Sequence, residues 1–133
     1  MNFQQFTKQL EAKIQSAYEE GVTLDQAEKL AAEFLHAQMI ISAELKKHDL
    51  DSRMRKSGVK AVRAAIYTET ASKGDKKPTE AALAAAVDMH EVVQSEQKAF
   101  DTAEVERDDL SRYYSIFQNA HIYFRGIAKG KFD

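Results

Sequence analysis

The stretch that decides the fold is 24-LDQAEKLAAEFLHAQMIISAELKKHDLDSRMRKSGVKAVRAAIYTETAS-72. Along it Leu24, Ala27, Ala31, Phe34, Gln38, Ile41, Leu45, His48, Ser52, Arg55, Val59, Val62 and Ile66 follow one another at alternating steps of three and four, without a slip. That spacing keeps one face of an α-helix pointing the same way, heptad-like as in a coiled coil but with polar residues in its middle. Thr23 and Gln26 open the stretch as a T-x-x-Q capping box. Unbroken to Ser72, the helix would be roughly 75 Å long at 1.5 Å per residue. A helix of that length needs an antiparallel partner, other subunits or a kink, and Asp49–Ser52 and Gly58 are where a kink would fall.

Upstream, Phe3, Phe6, Leu10, Ile14, Ala17 and Tyr18 form one face of a first helix over 1–20, ending near Gly21. Downstream, Lys-Gly-Asp-Lys-Lys-Pro reads as a loop over 73–78. Thr79 caps a short helix through about residue 87, and Asp88 with Glu91 resembles a second cap. A final helix over 89–128 carries Met89, Val93, Phe100, Ala103, Leu110, Tyr114, Phe117, His121 and Phe124 on one face. The expected fold is all-α. It is an elongated hairpin of two long helices in a single domain over 1–133, with a short N-terminal helix and a short helix after the central loop.

Composition agrees with that class. The chain has 133 residues, one Pro and five Gly, too few breakers for a sandwich or barrel. It has no Cys, which excludes a disulfide scaffold, an iron–sulfur cluster and a cysteine nucleophile. The longest run without a charged residue, Tyr113–Phe124, is too short to cross a bilayer. Met1–Phe6 lacks a basic start followed by an apolar core, so no secretory signal is expected, and the expected location is cytoplasmic.

Nineteen Lys and Arg against 21 Asp and Glu give a net charge of −2, which hides a segregation. Residues 1–45 carry −4, residues 46–77 carry +6 and residues 78–133 carry −4. In the central block Arg53, Lys56, Lys60 and Arg63 share a helix face, with Arg55 beside them. Such a row suits a phosphate backbone, where each neutralised phosphate releases counterions. A solvated face, or pairing with acidic segments of another subunit, explains it equally on charge alone. Tyr67, one turn on, could stack on a base or simply pack.

Catalytic and metal constellations are thin. Glu33 and His36 make one E-x-x-H, whereas a di-iron carboxylate bundle needs two with two further carboxylates. His48 and His121 fall on apolar stripes, where packing or an interface hydrogen bond is the simpler role. No phosphate-binding glycine loop, nucleophile elbow or H-E-x-x-H occurs. No enzyme activity, metal or cofactor is expected.

The order of elements resembles the small phage recombination mediators of the UvsY type, over roughly residues 24–128. The carrying features are the basic stretch Arg53-Met-Arg-Lys-Ser-Gly-Val-Lys-Ala-Val-Arg63 followed by Ala-Ala-Ile-Tyr67, and the segment Lys77-Pro-Thr-Glu-Ala-Ala-Leu-Ala-Ala-Ala-Val-Asp88. A final long helix with Phe117, Phe124 and Arg125 completes it. The chain departs from the pattern in having Pro78 directly after the Lys pair and Asp88 directly after Val87. The resemblance implies a phage protein that binds single-stranded DNA, forms a ring-like homo-oligomer and contacts a RecA-like recombinase and a single-strand binding protein. It implies that Lys60 and Arg63 hold the DNA backbone, a set that the helical spacing extends to Arg53, Arg55 and Lys56. It also implies self-association through Leu110, Tyr114, Phe117 and Phe124. Two other classes stay open: a helical phage protein that inhibits a host factor, and an oligomeric structural or assembly protein, neither touching DNA.

Overall fold

The structure, a computed structural model, describes residues 2–74, 76 and 78–130. Asp75 and Lys77, which belong to the predicted loop and basic block, lie outside the described residues. The described chain is all-helical: α1 (Phe3–Glu20), α2 (Leu24–Ser72), α3 (Glu80–Met89) and α4 (Glu91–Ala128). The two long helices, α2 and α4, pack together. α2 runs through Asp49–Ser52 and Gly58 without interruption.

Local chemistry sets the helix ends. The Asn2 side chain accepts from the backbone N–H groups of Gln4 and Gln5, at 3.0 and 3.3 Å, satisfying donors that no helical carbonyl reaches. At the other end of α1 the chain turns through Gly21 at φ 73°, where a side chain would be strained. The predicted capping box is formed in full. Gln26 N–H donates to Thr23 Oγ1 at 3.1 Å, and Thr23 N–H donates to Gln26 Oε1 at 2.9 Å. Thr79 caps α3 by accepting from Ala82 N–H at 3.1 Å.

The junction of α3 and α4 differs from the D-x-x-E reading. Asp88 lies inside α3, and His90 is the boundary residue. His90 N–H donates to the Val87 carbonyl, while its Nδ1 accepts from Val92 N–H at 3.2 Å. The imidazole thus does the capping expected of Asp88, whose carboxylate is turned to Arg63. Met89 consequently ends α3, 76% exposed, and is no part of the α4 stripe.

Contacts divide the chain into two compact units. One comprises Met1–Leu45 with Asp109–Asp133, the other Lys46–Asp108. The first is built from α1, the start of α2 and the end of α4. Its core holds Leu10, Ala31, Phe34, Ala37, Ile41, Phe117, Ala120 and Phe124. Phe34 is fully buried, with ring centroids 5.6 Å from Phe117 and 5.7 Å from Phe124, within the range of favourable aromatic pairing. His121 Nδ1 lies 2.7 Å from the Ala31 carbonyl. A carbonyl only accepts, so the proton sits on Nδ1. Thr7 is buried beside this core and returns its hydroxyl to the carbonyls of Phe3 and Gln4. Tyr18, assigned to the α1 apolar face by spacing, is instead 85% exposed. It stands one residue past Ala17, at the edge of the stripe, and Ile14 and Ala17 already cover that part of the core.

The second unit is built from the rest of α2, all of α3 and the start of α4. Its buried side chains include no aromatic ring: Ser52, Val59, Leu83, Val87, Val93 and Ala103. Of the long α2 stripe only Leu24, at the helix start, and Arg55 are classed as exposed.

Two predictions test this packing. Phe34→Ala removes the ring that joins α2 to α4, and urea unfolding should show a loss of about 3–5 kcal/mol. Gly58 sits inside α2, and a Cβ there would meet only Glu96 Oε2 at 3.5 Å, an ordinary contact. Gly58→Ala should therefore raise stability by about 0.5–1 kcal/mol, read by the same titration.

Candidate nucleic-acid interface

The five cations singled out in the sequence all lie on α2 within the second unit. The structure sorts them into two groups. Arg53, Lys56 and Lys60 are exposed and form no ion pair among the described residues. Arg55 and Arg63 are occupied. Arg55 Nε donates to Asp51 Oδ2 at 3.2 Å, one turn back on the same helix. Arg63 Nη2 donates to Asp88 Oδ1 of α3 at 2.6 Å. Tyr67 is 42% exposed, one turn beyond Arg63.

Acidic residues of the same chain share the unit with these cations. Residues 46–108 contain twelve Lys and Arg and twelve Asp and Glu, so the second unit is neutral. The +6 of residues 46–77 is matched by −6 over residues 78–108. Folding α3 and the start of α4 onto α2 brings the two together. Besides the Arg63–Asp88 pair, His48 Nδ1 lies 3.7 Å from Glu106 Oε2.

Arg107 is the charged residue that sequence reasoning missed. It is half-buried on the inward stripe of α4 and faces Asp49 of α2 at 3.8 Å, Glu104 at 3.7 Å and Asp108 at 3.0 Å. The hydrogen bond that Arg107 donates to Asp108 raises its pKa above the ordinary guanidinium value. Desolvation opposes this, and the charges of Asp108, Glu104 and Asp49 reinforce it. The signal was present as a gap: the α4 stripe steps seven residues from Ala103 to Leu110, and Arg107 fills the missing position.

The four residues proposed for self-association lie in the first unit. Phe117 and Phe124 are buried in its core, and Leu110 and Tyr114 are partly buried against it. The apolar surface of Phe117 and Phe124 is thus covered within the same chain, and that of Leu110 and Tyr114 in part. The large apolar side chains that this stretch of α4 exposes are Ile122 and Tyr123, at 51% and 52%.

Glu33 of the single E-x-x-H pairs with Lys13 of α1, and His36 is exposed. Among the described residues no three His, Asp or Glu side chains are grouped to hold a metal ion. No described helix is long and apolar enough to cross a membrane. No family of proteins, characterised protein or solved structure matches the chain.

Proposed function

We propose that this protein is a non-enzymatic, single-stranded-DNA-binding recombination mediator, one that helps a RecA-like recombinase assemble where a single-strand binding protein is bound. The observation that carries the reading is the row Arg53, Lys56 and Lys60. These are three exposed cations at steps of three and four, with no carboxylate partner among the described residues. Each ammonium or guanidinium is available to a phosphate without first breaking an ion pair. A helix face holds them in line, as a backbone-tracking contact needs. The sequence likeness to the UvsY-type mediators supplies the biological setting and the expectation of a homo-oligomer. Repetition of the row over several protomers would make weak contacts act together.

The neutrality of the second unit favours a second reading, a helical interaction protein with no DNA contact. Anisotropy of a labelled oligothymidylate, titrated at low and moderate salt, separates the two. On the mediator reading binding is present at low salt. Lys56→Ala with Lys60→Ala weakens it roughly tenfold and lowers the salt slope by about 1.4, the share of two phosphate contacts on a single strand. Both residues are exposed, so circular dichroism and the unfolding midpoint should stay at the parental values. Folded parental protein that fails to bind at low salt would contradict the mediator reading and support the second.

A further inference from the structure

We propose that the groove lined by Arg63, Asp88, Gln94, Gln97, Lys98 and Asp101 is a phosphate site for the bound strand, its Arg63 guanidinium engaged in the free protein by the carboxylate of Asp88. The inference rests on the single-strand-binding reading and names a site beyond the exposed row.

The groove follows the row directly, because Arg63 stands three residues after Lys60 on α2. Asp88 presents to Arg63 what a phosphodiester would present: an anionic oxygen accepting from the guanidinium, here at 2.6 Å. The pair is exposed to water, with side-chain accessibilities of 41% for Arg63 and 60% for Asp88. An ion pair in that setting contributes little net stability, so exchanging one anion for another costs little.

The rest of the lining suits the same ligand. Lys98 brings a second cation from α4, exposed and with no ion pair among the described residues. Gln97 Nε2 donates to Asp101 Oδ1 at 2.9 Å, and Gln94 Nε2 donates to the Asp88 carbonyl at 3.4 Å. The Asp101 carboxylate thus has a donor of its own within the groove, whereas the Asp88 carboxylate takes its bond from Arg63. Lys98 was not visible as part of a basic site in the sequence, since it stands in an acidic segment. Only the packing of α4 beside α2 sets it in one groove with Arg63.

The test is anisotropy of a labelled oligothymidylate at low salt, with the full-length protein. Asp88→Asn keeps the shape and removes the competing charge. It should tighten binding roughly two- to fivefold, the range set by an exposed ion pair. Asp88→Glu keeps the charge and should bind like the parent. Asp101→Asn removes the same charge from the same groove without releasing Arg63, and should gain less. The gain should vanish in the Arg63→Ala, Asp88→Asn double variant. Adding Lys98→Ala to Asp88→Asn should weaken binding. Equal gains from Asp88→Asn and Asp101→Asn, or a gain that survives loss of Arg63, would show general charge repulsion and overturn the site. So would an unchanged affinity on adding Lys98→Ala. A parent protein that does not bind removes the mediator reading and this site together; a parent that binds with no Asp88 effect removes the site alone. Circular dichroism of each variant, with its unfolding midpoint, confirms that α3 stays docked.

Discussion

Forty-nine helical residues carrying one inward stripe cannot bury that stripe on themselves, and the rest of the architecture answers this constraint. α4 supplies the cover in both compact units, with α1 adding to it in the first and α3 in the second. In the first unit the cover is aromatic. Phe34 of α2 lies against Phe117 and Phe124 of α4, and Leu10 of α1 joins the same cluster. Large rings bury much area per residue, so three helices suffice to close a core there. The His121 bond to the Ala31 carbonyl adds a polar tie between the same two helices.

The second unit meets the same constraint with other means. Ser52, Val59, Leu83, Val87, Val93 and Ala103 each bury less area than an aromatic ring, and the ion pairs Arg63–Asp88 and Arg107–Asp49 accompany them. The net charge of residues 46–77 is offset by that of residues 78–108, so the second unit is neutral as a whole. At distances beyond a Debye length, about 8 Å at physiological ionic strength, such a unit presents little net field. On the proposed reading, an anionic strand would be held there by contact with particular side chains, not by long-range attraction. The distinction between paired cations (Arg55, Arg63) and exposed ones (Arg53, Lys56, Lys60) therefore matters more than their number.

Much of this was legible in one dimension. Helix number, the capping box at Thr23 and Gln26, the Gly21 turn and nearly every inward residue of α2 follow from spacing and backbone chemistry, which depend on near neighbours in sequence. Polar members of the stripe were correctly included: Gln38 and Ser52 are buried where the period puts them. The misplacements are of another kind. Tyr18 and Met89 lie at the edges of stripes, where one helical step turns a side chain by about 100° and neighbouring elements decide which edge is covered. Asp88 had two chemically sound uses, as a helix cap or as an ion-pair partner, and the position of Arg63 on another helix selected the second.

By itself, then, the sequence determined the helices, their ends, their inward faces and the segregation of charge into one basic and two acidic stretches. These are properties of local spacing and composition. Tertiary structure alone decided which charges meet. It set α3 and the start of α4, which are acidic, in one unit with the basic half of α2, and left Arg53, Lys56 and Lys60 exposed. It also placed Arg107 among the carboxylates of two helices and gathered Lys98 into a groove with Arg63. The reason is physical: a Coulomb interaction depends on distance through space, and no count along the chain contains that distance.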